Sequence, residues 1–100
     1  MRVLVSCANG SGTSLMMMKS AQKALKQLNI EVSNIQHTSI AEGKSTAKNY
    51  DLVLTPLNFV DMFKDAEAKG VTVLGIRNVM SAKEIQEAIQ GTDIPERFGH

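Results

Sequence analysis

The sequence is poor in the residues on which several classes of protein depend. It has one cysteine, one tyrosine, three phenylalanines and no tryptophan among 100 residues. A single cysteine excludes an internal disulfide and a cysteine-based zinc cluster. An unpaired thiol is typical of a reducing compartment, so we expect a cytoplasmic protein. So few aromatic side chains cannot form a platform on which nucleic-acid bases stack.

The sequence also lacks a large excess of charge of one sign and a long apolar run. Eleven lysine and arginine residues oppose ten aspartate and glutamate residues, so no basic field favours nucleic acid. No run approaches the roughly 18 apolar residues of a membrane-spanning helix. The short apolar start breaks at Asn9-Gly10, too early for a signal peptide. We therefore expect no nucleic-acid partner, no direct membrane insertion, and any membrane role through a partner protein.

The apolar residues that are present suffice for one core. Hydrophobic residues make up 43% of the chain, and a chain of this length is the size of one ordinary domain. We assign residues 1–91 to this domain and residues 92–100 to a polar C-terminal tail without predicted structure.

Four segments have the composition of β-strands. Residues 2–6, 52–55 and 71–76 are almost continuously apolar, as in strands covered on both faces. Residues 30–37 alternate more, which predicts an edge strand.

Helix patterns lie after each of these strands. The predicted helices begin at Ser14, Ser39, Asn58 and Ser81, and the third and fourth end at Gly70 and Gly91. Ser39 and Ser81 are each followed three residues later by glutamate, the capping-box pattern. Strands that alternate with helices predict an α/β fold with a parallel sheet and helices on both faces. Ligands bind such sheets beyond the carboxyl ends of the strands.

The segment after the first strand has the composition of an anion site. It reads Cys7-Ala8-Asn9-Gly10-Ser11-Gly12-Thr13-Ser14. Its two glycines permit backbone angles closed to other residues, so that successive N–H groups can converge on one ligand. The next helix adds free N–H groups and the positive end of its dipole. The same field favours thiolate over thiol, which predicts a nucleophilic Cys7.

Other loop motifs fail on a required residue. A nucleotide P-loop needs lysine where Thr13 stands, and a dinucleotide fingerprint needs glycine where Leu15 stands. A thioredoxin-type motif needs cysteine where Gly10 stands. The plainer interpretations are a buried core cysteine at Cys7 and simple helix caps at Thr13 and Ser14. The glycines and hydroxyls around Cys7 favour the anion site.

Cys-x-x-Gly-x-x-Thr-Ser directly after an N-terminal strand resembles the IIB component of the bacterial sugar phosphotransferase system. The resemblance implies a flavodoxin-like four-stranded parallel sheet of order 2-1-3-4. It also implies that Cys7 accepts phosphate from a phosphohistidine of the IIA component and passes it to a sugar bound by the membrane IIC component. No cofactor or metal is implied. The implied phosphate-binding residues are Ala8, Asn9, Gly10, Ser11, Gly12, Thr13 and Ser14.

Two finer patterns are most similar to the ascorbate-specific branch of that family. They are Asn9-Gly10-x-Gly12, followed by a methionine-rich stretch that ends in Lys19, and the run Gly75-Ile76-Arg77-Asn78. The galactitol-type branch has the same architecture.

Two alternatives remain open. The loop also resembles that of low-molecular-weight phosphatases, Cys-x5-Arg, but Thr13 stands where the arginine would be. The other alternative is a non-enzymatic anion-binding module on the same fold. His37, at the end of the predicted edge strand, is an ordinary histidine rather than a second phosphate carrier in our interpretation. Core packing is expected for at least one member of the run from Met16 to Met18.

Overall fold

The computed structural model describes residues 1–7, 12–78, 80–92 and 94–98. Its four strands are β1 (Arg2–Cys7), β2 (Asn34–Ser39), β3 (Leu52–Pro56) and β4 (Thr72–Ile76). They form one parallel sheet of order β2-β1-β3-β4. The predicted four-stranded parallel sheet and its order 2-1-3-4 are therefore confirmed.

The helices lie on both faces of this sheet, as predicted. They are α1 (Gly12–Gln27), α2 (Ile40–Thr46), α3 (Lys64–Ala68), α4 (Ala82–Gln90) and α5 (Ile94–Phe98), with 3-10 segments at Ala47–Asn49 and Leu57–Phe63. One apolar core joins α1, α4 and α5 to the sheet, and a second joins α2 and α3 to its other face. The sheet is thus covered on both sides, which explains why its central strands are apolar without alternation.

The alternation of side chains along β1 decides which of the two cores contains the side chain of Cys7. Val3, Val5 and Cys7 belong to the core under α1 and α4, whereas Leu4 belongs to the core under α2 and α3. Successive side chains of a strand point to opposite faces, so Ser6 lies on the α2 side. Each fully buried valine or leucine stabilises the fold by roughly 1.5–3 kcal/mol. The same burial that holds β1 in place encloses the Cys7 side chain.

The edge strand begins four residues later than the sequence predicts. Asn29 has φ 59°, and the N–H of Ile30 donates to the carbonyl of Leu25 at 3.0 Å. The N–H of Asn29 donates to the carbonyl of Lys26 at 3.1 Å. These two bonds form a Schellman motif beyond the last residue of α1, and Ile30 packs back on the core. Ile30 therefore belongs to the turn that follows α1, and β2 starts only at Asn34.

The predicted cap of the third helix is wrong. Asn58 lies inside the 3-10 segment Leu57–Phe63, which starts directly after Pro56 and has no side-chain cap. The reason is the close packing of Leu57 on β4. A Cβ on Gly75 would lie 2.7 Å from Cδ1 of Leu57, so glycine there lets Leu57 approach the strand. The predicted end at Gly70 is confirmed, because its N–H donates to the carbonyl of Glu67 at 3.0 Å.

The C-terminal tail, predicted to lack structure, contains the short helix α5. Ile94 is fully buried in the core under α1 and α4. Thr92 turns the chain into this helix, since its hydroxyl oxygen accepts from the N–H of Ile94 at 3.2 Å. One apolar side chain and one local cap are too little for a periodic pattern, so the sequence does not reveal them.

Gly43→Ala tests how closely α2 packs on β1. A Cβ at Gly43 would lie 2.3 Å from Oγ and 2.9 Å from Cβ of Ser6, which belongs to a central strand and cannot retreat. We expect the free energy of unfolding in urea to fall by about 1–3 kcal/mol. Gly91→Ala is the control, because its Cβ would meet no atom closer than 3.5 Å. Equal effects of the two substitutions would contradict this account.

Candidate active site

Cys7 is the last residue of β1, and β1 lies between β2 and β3. Its partner across the β1–β2 pair is Ser39, the last residue of β2. The carboxyl ends of these parallel strands lie at one edge of the sheet, where open α/β folds bind ligands. The Cys7 side chain is only 1% exposed and faces the core under α1.

The described surroundings of the thiol differ from the sequence prediction. Its Sγ donates to the thioether Sδ of Met17 at 3.5 Å, and both residues are buried. Burial raises the pKa of the Cys7 thiol from 9.0 to about 11. The expectation that the site holds a thiolate is therefore wrong for this orientation of the side chain, because an apolar core disfavours the charged form. The loop residues Ala8, Asn9, Gly10 and Ser11 lie outside the described residues.

Helix α1 begins at Gly12, five residues after Cys7. Its first turn contains no acidic residue, whereas α2, α3, α4 and α5 each have at least one there. An acidic side chain in the first turn compensates the positive end of a helix dipole. In α1 no first-turn carboxylate compensates that end.

The sequence predicts that this helix begins at Ser14, but α1 begins two residues earlier and also includes Gly12 and Thr13. Because helical backbone angles are open to every residue, Gly12 is not required there for unusual angles. Its predicted phosphate contact, and those of Thr13 and Ser14, stay predictions.

Next to Cys7, hydroxyl groups hold the connection from β2 to α2. Ser6 donates from Oγ to the carbonyl of Ser39 at 2.9 Å, and Thr38 donates to Oγ of Ser6 at 3.5 Å. The hydroxyl oxygen of Ser39 accepts from the N–H of Glu42 at 3.4 Å, which caps α2 as predicted. Ser6, the residue before Cys7, is thereby bonded to the end of β2, where α2 begins.

Glu84 organises the loop after β4. Its Oε2 accepts from the N–H of Arg77 at 2.5 Å, and its Oε1 accepts from the N–H of Asn78 at 3.1 Å. Its own N–H donates to Oγ of Ser81 at 3.1 Å, as the capping pattern predicts. In a capping box the glutamate carboxylate returns to the cap residue, but here it reaches further back into the loop. The sequence signal locates Glu84 but not its partners.

The geometry can be compared with known proteins. The family model described as "PTS system, Lactose/Cellobiose specific IIB subunit" matches residues 2–91. The chain belongs to this family. It is therefore a IIB component of a sugar phosphotransferase system, and such components work with IIA and IIC components.

One relative and one solved structure match nearly the whole length of this IIB subunit. The ascorbate-specific EIIB component of Mycoplasma pneumoniae is 24% identical over 90 residues, which cover 89% of this chain and 90% of the relative. The structure of the lactose-specific IIB domain from Streptococcus pneumoniae matches with a TM-score of 0.65. That match has 24% identity and covers 91% of this chain and 92% of the other. It supports the fold.

Four exposed apolar side chains lie near the carboxyl ends of the strands or at the start of α1. Leu15 and Met16 lie in the first turns of α1, Leu57 follows β3, and Met80 lies in the loop after β4. Their exposed fractions run from 38% for Leu15 to 61% for Met80. We call these four residues the apolar rim. Of the three consecutive methionines, Met17 is buried as expected for one of them.

His37 lies inside β2 opposite Val5, two residues before the end of the strand. Among the described residues, no three His, Cys, Asp or Glu side chains form a group that could hold a metal ion. Within the same residues, no helix combines the length and the apolar character that a membrane span requires.

Glu84→Ala should loosen the loop after β4. The substitution removes two acceptors, and we expect the free energy of unfolding to fall by about 1–2 kcal/mol. Amide hydrogen exchange of Arg77 and Asn78 should accelerate, because their N–H groups lose their bonds to the carboxylate. Glu87→Ala on the exposed side of the same helix is the control. Unchanged exchange in the Glu84 variant would show that the carboxylate does not hold this loop.

Proposed function

We propose that this IIB subunit carries a phosphoryl group on Sγ of Cys7. It accepts the group from a phosphohistidine of IIA and passes it to a sugar bound by the membrane IIC component. The observation that carries the proposal is the position of the chain's only cysteine. Cys7 ends a central strand five residues before a helix whose first turn has no acidic residue.

The transfer is a displacement at phosphorus. A bond forms between Sγ and phosphorus as the bond from phosphorus to the donor imidazole nitrogen breaks. The thiol proton passes to the departing imidazole, so a thiol that is protonated at neutral pH needs no separate base. Phosphoryl transfer depends mainly on in-line positioning and on stabilisation of charge. The N–H groups at the start of α1 supply that stabilisation, together with the proposed contacts of residues 8–14.

The residues that drive hydrolysis in phosphatases have no counterpart in the loop. Thr13 replaces the arginine that clamps the transferring group in Cys-x5-Arg loops. A cradle without this clamp holds phosphocysteine rather than releasing phosphate. A relay between two partner proteins requires such a long-lived intermediate.

The apolar rim is the surface on which we expect IIA to dock. It lies at the same edge of the sheet as Cys7, and the side chain of Arg77 is exposed in the loop beside it. Exposed apolar residues of this kind, ringed by polar ones, are typical of protein interfaces. The arginine adds a positive charge that suits a phosphorylated partner.

We further propose ascorbate as the sugar and the inner face of the cytoplasmic membrane as the place of transfer. The ascorbate-specific relative and the Gly75-Ile76-Arg77-Asn78 run support this choice. Transport in the presence of a matched IIC can be assayed with labelled ascorbate and with galactitol as the competing substrate. Preference for galactitol would contradict the ascorbate proposal only.

The phosphate-carrier function is tested by incubating the purified subunit with phosphoenolpyruvate, the general phosphotransferase proteins and a matched IIA. Intact-protein mass spectrometry should find one added phosphate, and it should persist after IIA is removed. The free protein should not turn over p-nitrophenyl phosphate. Cys7-dependent turnover of that substrate would identify a phosphatase instead. Tight phosphate binding without any covalent adduct would identify an anion-binding module.

A further inference from the structure

The contact between Cys7 and Met17 is the feature that the proposed function does not use. The S–H of Cys7 donates to the thioether of Met17 over 3.5 Å, in a core where Met17 is fully buried. On α1, Met17 lies on the side that faces the sheet, whereas Leu15 and Met16 lie on the exposed side. A thioether is a weak acceptor, and a thiol is a weak donor. The pair is nevertheless directional, which simple apolar packing is not.

This buried orientation of Sγ is unfavourable for a bound phosphoryl group. A phosphoryl group carries close to two negative charges at neutral pH. Placed where Sγ now lies, those charges would enter a core formed by residues such as Val5, Leu54 and Ile76. Burial of an unpaired charge is too costly for a folded domain. Because Cys7 is the last residue of β1, rotation about its Cα–Cβ bond to another staggered position can carry Sγ away from Met17.

We propose that Met17 is a positioning residue that holds the Cys7 thiol in a buried resting orientation, from which Sγ turns outward to receive phosphate. The proposal rests on the proposed phosphate-carrier function. The resting orientation keeps the thiol protonated and away from oxidants and electrophiles. Transfer of the phosphoryl group to Sγ then favours the outward orientation, because the charged group is unfavourable in the apolar core.

Met17→Leu separates this role from packing, because leucine conserves the volume and lacks the acceptor. The matched control is Met16→Leu on the exposed side of the same helix. The rate of alkylation by iodoacetamide is measured from pH 7 to 11 on the folded proteins. Loss of a hydrogen bond to the neutral thiol should lower the midpoint of this profile. We expect the rate at pH 8 to rise about three- to tenfold in the Met17 variant only.

A second measurement needs no variant. Cys7 is the only thiol, so the S–H stretching band in the Raman spectrum belongs to it alone. In the wild type the hydrogen-bonded S–H should give a Raman band at a lower frequency than a free thiol does. Met17→Leu should move this band to a higher frequency. A free-thiol band in the wild type overturns the proposal, as does an equal alkylation profile in the two leucine variants. Neither readout involves phosphate, so failure of phosphate transfer would leave the Met17 result intact.

Discussion

Cys7→Ser should accept no phosphate from phosphorylated IIA. The substitution removes the only thiol and leaves a hydroxyl, which is a far weaker nucleophile at neutral pH. The hydroxyl would be buried where Sγ now contacts Met17, so we also expect a loss of about 1–3 kcal/mol in the free energy of unfolding. The domain should still fold. Intact-protein mass spectrometry after incubation with the full phosphotransfer chain measures acceptance.

Cys7→Ala is the matched control for this experiment. It also lacks the thiol but buries no unpartnered hydroxyl, so it should be more stable than the serine variant and equally inactive. A stable phosphate on either variant would point to His37 or another carrier and would refute the assignment of Cys7.

The native thiol should react with iodoacetamide about 100-fold more slowly near pH 7.5 than the same thiol in urea. Its pKa in the fold is about 11, against an ordinary value of 9.0, and each unit of pKa is a factor of ten in thiolate. The native rate should keep rising up to about pH 11, whereas the rate in urea should level off about two units lower. Equal profiles would show that Cys7 is not held in the apolar core.

The same shift links stability to pH. Below pH 9 the thiol is protonated in both the folded and the unfolded chain, so its contribution is constant. Between about pH 9 and 11 the unfolded chain loses this proton and the folded chain keeps it, so stability falls as pH rises. The loss is on the order of 3 kcal/mol. The difference in stability between the wild type and Cys7→Ala isolates the contribution of the thiol, because both proteins share every other titratable group.

Features encoded in a local run of residues could be predicted from the sequence. The apolar runs of β1, β3 and β4 predicted strands covered on both faces, and their alternation with helices predicted the parallel sheet. The caps at Ser39 and Ser81 were confirmed by bonds to Glu42 and Glu84. Such features can be predicted because hydrophobic periodicity and helix caps act over only a few residues.

Features that depend on contacts between distant residues could not be predicted from the sequence. Ile30 reads as part of a strand, but its N–H bonds to the carbonyl of Leu25 in the turn that follows α1. Leu57 starts the 3-10 segment because Gly75 on β4 leaves room for it. Ile94 belongs to the core although its neighbours are polar. In each case packing outweighs a weak local preference.

The active site divides in the same way. By itself the sequence determined that one cysteine follows the first strand and precedes a glycine-rich helix start, because these positions are adjacent along the chain. Only the tertiary structure decided the state of that cysteine. The pleat of β1 turns Cys7 towards α1, where its thiol contacts Met17, ten residues later in the chain. The pKa of a thiol depends on the groups that surround it in space. The sequence predicted a thiolate, whereas the structure shows a buried thiol with a raised pKa.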